Sequence, residues 1–286
     1  MPQAPTLLPG QRARARGALS NATGRFETHQ VEAADDGWDI PHDDRLLRTE
    51  VRDEVPRSAL SFNRSPDLPF DRSVNPYRGC EHGCVYCFAR PSHAWLNLSP
   101  GLDFETQLIA RPGIAVVLER ELRARAYVPQ VIAVGTNTDP YQPIEARRRV
   151  MREVVEVLAA FRHPLAITTK GTLIERDIDL LAPMAAQGLL RVGVSVTTLD
   201  TDLSRKMEPR ALLPARRLAV IRRLSEAGIP DAFPYEGPVV GVHHQPPAAT
   251  GEAVGDAEQL VVEVLVVACP VRHRLRGPVV EVHHIT

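Results

Sequence analysis

Cysteine is scarce in this chain, four in 286 residues. That is too few for a disulfide scaffold of this length, and it points to a reducing compartment in which clustered thiols bind metal or act in redox chemistry. Lysine is scarcer still. Only Lys170 and Lys206 occur, and arginine carries the rest of the positive charge. The arginine bias fits a GC-rich genome and makes the two lysines conspicuous. Net charge is nearly absent, −1, so no global field draws the protein to nucleic acid or to an acidic membrane, although a local basic cleft stays compatible with that total. Long apolar runs are absent, and nothing approaches the roughly 18 residues of a membrane span. The opening "MPQAPTLLPGQRARARG" lacks an apolar core followed by a small-residue cleavage site. The expectation is a cytoplasmic protein with no membrane partner.

What remains is an ordinary globular composition, 44% hydrophobic and 24% charged, long enough for one large domain or two modest ones. Residues 1–60 are polar and interrupted by Pro and Gly, with no sustained period, and read as an extended N-terminal arm. Residues 61–230 form the main domain. Within it, "ETQLIARPGIAVVLERELRARAY" has apolar residues at helical spacing, split by Pro112. Short apolar runs at 130–135, 164–171 and 191–196 predict buried strands. Helical patterns at 145–163, 176–188 and 213–228 follow them; Val150, Val154, Val157, Leu158 and Phe161 share the apolar face of the first. Gly188 and Gly228 stand where C-caps belong, and Pro214 stands in a first turn. A β–α repeat with continuous apolar strands argues for a parallel sheet. In such sheets ligands bind at the C-terminal strand ends. Here those ends run into "GTNTDPYQPIE", "TTKG" and "SVTTLD", all rich in hydrogen-bonding side chains.

Three of the four cysteines, Cys80, Cys84 and Cys87, fall in "GCEHGCVYCFAR" with the spacing C-x3-C-x2-C. Thiolates in such a loop suit zinc or an iron–sulfur cluster. Zinc would need His82 or His93 as fourth ligand. A cubane cluster held by three cysteines would leave one iron without a protein thiolate, free to take a substrate or cofactor. Gly79 and Gly83 permit the turns that wrap such a loop, and Tyr86 offers a ring beside it.

"CEHGCVYC" resembles the signature of the radical S-adenosylmethionine (SAM) superfamily, including the aromatic residue before the last cysteine. "NRSPDLPFDRSVNPYRGCEHGCVYCFARPSHAWLNLSPGLDFET", "GTNTDPYQPIE", "SVTTLD", "KMEPRALLPARRL" and the "DDGWD" of the arm are similar to a bacterial subfamily related to spore photoproduct lyase. The likeness spans roughly residues 10–230. It implies an α/β fold, a partial (β/α)6 TIM-like barrel of the radical SAM type, with "RSVNPYR" as first strand. It also implies a [4Fe–4S] cluster on Cys80, Cys84 and Cys87, with SAM on the open iron. One electron would cleave SAM to methionine and a 5′-deoxyadenosyl radical that abstracts hydrogen from a substrate. Lys170 and Ser195 match positions that contact SAM. Tyr86, Thr136, Asn137 and Asp139 are the other expected cofactor-binding residues, and Glu208 and Arg210 of "MEPRA" are expected to pair at the rim. An electron donor of flavodoxin or ferredoxin type would be the partner. Nucleic acid is a possible substrate that the charge does not favour.

After Gly228 the β–α period stops. Residues 231–286, rich in Val, Pro and His, depart from the family, as an out-of-frame reading of GC-rich DNA would, and leave the barrel incomplete at the C-terminus. Cys269 is then incidental rather than a hydrogen donor. The competing readings are a non-catalytic iron–sulfur protein with a degenerate barrel and a zinc-binding interaction module.

Overall fold

Four short strands lie parallel at the centre of the molecule: β3 (Arg72–Val74), β6 (Ile132–Val134), β7 (Leu165–Thr169) and β8 (Leu190–Val194). Their order is β2-β3-β6-β7-β8, with β2 (Leu60–Phe62) antiparallel on the outside of β3. The computed structural model describes residues 16–21, 23, 26, 47–66, 68 and 70–229. The expectations for "DDGWD", for residues 231–286 and for Cys269 lie outside the described residues.

Register follows burial. Val74 stands beside Val134, Val134 beside Ile167, and Ile167 beside Val192; all four are buried. Apolar positions on both faces of a strand are what a covered parallel sheet demands. Helices α2 (Ile114–Leu122), α4 (Val150–Ala160) and α5 (Ile178–Ala186) pack side by side, and α5 and α7 (Pro214–Glu226) lie against β8. The expected face of α4 is the one that packs, with Val150, Val154 and Leu158 buried and Val157 and Phe161 at its margin. The fold is α/β, and four parallel strands of the implied barrel are present among the described residues.

The structure departs from expectation in several places, and "RSVNPYR", expected as one strand, is split between β3 and a two-residue strand of a second sheet. Residues 107–110, read as helix, are strand β5 (Gln107–Ala110), flanked by the four-residue α1 (Asp103–Thr106) and by α2. Strand β5 is central in a small second sheet, parallel to β1 (Glu50–Asp53) and antiparallel to β4 (Tyr77–Arg78). Alternating burial of Leu108 and Ala110 satisfies the strand period as well as the helical one. Strand β1 itself arises within the segment read as arm. The 145–163 helix is broken into α3 (Glu145–Arg148) and α4 at Arg149, whose φ is 54°. The Glu145 carboxylate turns back to accept from Met151 N–H (2.9 Å) and Arg152 N–H (3.2 Å), satisfying the first-turn donors of α4. Helix α6 (Thr201–Met207), not predicted, starts on Asp200, whose side chain accepts from Asp202 N–H and Leu203 N–H.

Candidate functional site

The three clustered cysteines lie in the loop leaving β4, and none is in a disulfide. Cys80 is buried, whereas Cys84 and Cys87 are half-buried. Gly79 (φ 76°) and Gly83 (φ 68°) adopt the left-handed conformation that glycine tolerates. A Cβ on Gly79 would also lie 2.8 Å from Phe104 O, so packing and conformation both require glycine there.

The loop is held from several sides. Gln142, fully buried, accepts from Glu81 N–H (2.9 Å) and donates to Gly79 O (3.1 Å), gripping the backbone on either side of Cys80. Cys80 N–H donates to Phe104 O (2.9 Å) and Val85 N–H to Met207 O (2.9 Å). Arg90 donates through Nε and Nη2 to Cys84 O (3.2 and 3.0 Å). His82 Nδ1 stands 3.4 Å from Asp139 Oδ2.

Loop and strand ends meet around two buried carboxylates. Asp139, after β6, accepts from Thr169 Oγ1 and Lys170 N–H (both 2.6 Å) and from Tyr141 N–H (2.9 Å). Burial opposes its ionisation, but His82 and these donors pull it down to about 2; burial likewise opposes charge on His82, which Asp139 and Cys80 raise to about 10. The second carboxylate is Glu208. It accepts from the Tyr86 hydroxyl and from the guanidinium of Arg217, a fully buried residue, and Lys170 Nζ lies 3.9 Å away. Burial pushes its pKa up, but Arg217, Lys170 and Tyr86 together hold it below the usual value. Arg217 also donates to Leu212 O (2.7 Å) and Ser195 O (3.0 Å). Lys170 Nζ lies 5.8 Å from the centroid of the Tyr86 ring, in cation–π range.

Of the expected site residues, the structure links Tyr86, Asp139 and Lys170 to the loop, and Ser195 joins through its backbone carbonyl to Arg217. Thr136 and Asn137 lie half-buried just after β6. The Asp139 carboxylate is occupied by protein donors, which makes it a brace between loop and strand ends. Glu208 and Arg210 do not pair: Glu208 faces inward to Arg217, and Arg210 reaches Glu81 (3.2 Å). Gln142, Arg90, Glu105 and Arg217 were missed. A signal existed for Arg217, which falls on the buried stripe Pro214, Val220, Leu224 of α7. For the other three no local pattern stands out.

The donor set fits a cluster. Burial drives the Cys84 thiol up to about 12 against the opposing pull of Lys170, and burial also raises Cys87. Bound cations are what would compensate three thiolates held this close. Among the described residues no three His, Cys, Asp or Glu side chains converge on a single-ion position. Thiolates that each take a separate iron need no such convergence. His93, one candidate fourth zinc ligand, is fully buried with Nε2 3.0 Å from Gln107 O, and His82 is turned to Asp139. Among the described residues no helix is long and apolar enough to cross a membrane.

An uncharacterized protein of Mycobacterium tuberculosis is 45% identical over 176 residues, 60% of this chain and 51% of its own, so the chain spans about half the length of this relative. An uncharacterized protein of Methanocaldococcus jannaschii is 24% identical over 168 residues, 58% of this chain and 60% of its own. Among solved structures, a spore photoproduct lyase complexed with dinucleoside spore photoproduct superposes with a TM-score of 0.46 at 19% identity, covering 63% of this chain and 48% of that one. The radical SAM superfamily model matches residues 74–254, from the end of β3 through the cysteine loop and past Pro230 into the segment read as an atypical tail. With well over half its length inside that match, this chain belongs to the radical SAM superfamily.

Proposed function

We propose that this protein is a radical SAM enzyme, with Cys80, Cys84 and Cys87 as ligands of a [4Fe–4S] cluster. The observation that supports this most is three free thiols on one loop, seated against parallel strand ends that carry Lys170. When bound, such a cluster with SAM supplies reductive cleavage of the sulfonium and hydrogen abstraction from a substrate. The chain's own part is positioning. Lys170 presents an ammonium above Tyr86, suited to a carboxylate by a charge-assisted hydrogen bond. Glu208 holds the Tyr86 hydroxyl, and Arg217 keeps Glu208 ionised and fixes the β8 exit at Ser195. Thr136 and Asn137 add polar groups at the exit of β6. A small one-electron donor of flavodoxin or ferredoxin type is the proposed partner.

The test is anaerobic reconstitution with iron and sulfide, followed by SAM and dithionite. The expected outcome is about four irons per chain and reductant-dependent 5′-deoxyadenosine, both lost in Cys84→Ala. Iron uptake without SAM cleavage would favour a non-catalytic iron–sulfur protein. Cleavage persisting in Cys84→Ala would defeat the ligand assignment.

A further inference from the structure

The cysteine loop rests on a part of the chain that precedes the family match altogether. Glu105, in α1, is fully buried. Its Oε1 accepts from Ala18 N–H (2.8 Å) and from Arg90 Nη2 (2.5 Å), and its Oε2 accepts from Gly17 N–H (3.0 Å). Two of these three donors come from residues more than eighty positions earlier. Arg90 is the same residue that donates twice to Cys84 O and also to Gly101 O (3.1 Å). An unbroken polar path therefore runs from the backbone of residues 17–18, through a buried carboxylate and one guanidinium, to the peptide of the second cysteine.

Packing repeats the message. A Cβ on Gly17 would fall 1.7 Å from Gly83 O, and one on Gly83 would fall 2.8 Å from Glu105 Oε2. The N-terminal segment touches the loop so closely that neither position admits a side chain. Arg16 extends the contact, donating to Glu105 O (2.9 Å), Leu47 O (3.1 Å) and Thr49 Oγ1 (3.0 Å); Thr49 in turn donates to Glu81 Oε1 (2.8 Å), beside Cys80. None of residues 16–18 belongs to the main apolar core.

We propose that Glu105 is a positioning residue for the cysteine loop and that the Arg16–Ala18 segment is the part of the chain that completes it. This rests on the reading of Cys80, Cys84 and Cys87 as cluster ligands. With the segment docked, the carboxylate is satisfied on both oxygens and holds Arg90 against Cys84 O. Without it, a buried carboxylate keeps one donor, Arg90 is free to turn to other acceptors, and the loop loses its support at Gly83 and Cys84. Leaving buried acceptors unmet is costly, whereas the sheet and helices, packed elsewhere, keep their contacts. Groups that orient metal ligands typically change metal retention by 10–100-fold when removed, roughly the range expected here.

The experiment uses the full-length chain with Gly17→Ala and, separately, Glu105→Gln. In cluster-free protein, amide hydrogen exchange is followed over residues 80–90, with β7 residues 165–169 as internal reference. Exchange roughly tenfold faster in the loop, with β7 unchanged, is the expected result. After reconstitution, iron should pass to a ferrous chelator roughly tenfold faster, and the paramagnetic resonance signal of the reduced cluster should shift or broaden. Unchanged loop exchange, or equal acceleration in β7, overturns the proposal, the second because it marks a general loss of stability. Should the unaltered protein take up no iron at all, the ligand assignment falls, and the exchange comparison alone still decides whether residues 16–18 position the loop.

Discussion

The two sides of the parallel sheet are built from different forces. At the C-terminal strand ends, segments far apart in the chain are joined by buried carboxylates with named donors: Glu105 to residues 17–18, Asp139 to Lys170, Glu208 to Arg217. In the helical layer, Leu118, Val154, Leu158 and Leu181 share one apolar cluster with Ile132 and Ile167, and the buried carboxylates of that layer, Glu145 and Asp177, stand at helix starts. The first kind of assembly is specified by a few directional contacts, each costly to remove alone. The second is specified by area and degrades in proportion to the volume removed. A site that must hold ligands at fixed positions is therefore placed where geometry, not bulk, decides the fit.

The largest effect separating the two should come from Arg217→Ala. It strips Glu208 of its guanidinium and frees Leu212 O and Ser195 O, so a loss of about 3–5 kcal/mol is expected by urea unfolding. An apolar replacement of the same bulk that costs nothing would break the contrast. Leu158→Ala, in the helical layer and fully buried, should cost about 3 kcal/mol by transfer and cavity terms alone, with reconstituted iron content unchanged.

A smaller effect lies at the opposite strand ends. His163 Nδ1–H donates to Pro164 O (3.0 Å), and Nε2 accepts from the Tyr127 hydroxyl (2.7 Å), so the neutral ring fits its partners. Burial lowers its pKa, with Arg72 adding to the effect. The unfolded chain therefore binds a proton that the fold resists. The contribution is fully present above an unfolded value of about 6.5 and is lost as pH falls through it toward the lower folded value. Urea midpoints measured at about pH 5 and about pH 7.5 should differ by less in His163→Gln than in the unaltered chain. The smallest effect belongs to Arg123→Ala. Its pairing with Glu119 is exposed, and a change under about 0.5 kcal/mol is expected. A larger one would mean that its position over the Phe161 ring matters.

Much of the scaffold was legible because its signals are local. Runs such as Leu165–Thr169 and Leu190–Val194 announce buried strands by their concentration of Leu, Ile and Val, and Gly188 and Gly228 mark helix ends through their positive φ of 71° and 74°. Residues 107–110 misled because four residues with two apolar positions satisfy either period, and only pairing with β1 and β4 selects the strand. The break at Arg149 escaped because its cause is a glutamate that earns its burial from Tyr77 and Arg176, both distant in sequence.

By itself, the order of amino acids determined the β–α repeat, the thiol loop and the chemistry those thiols invite, since periodicity and spacing are properties of neighbours along the chain. Only the tertiary structure decided which polar groups are buried and what satisfies them: Gln142 on the peptides around Cys80, Arg217 on Glu208, residues 17–18 on Glu105. A buried carboxylate is stable only with its donors in place, and those donors lie 88 positions away for Gly17 and 9, in the next helix, for Arg217, pairings that no local period announces.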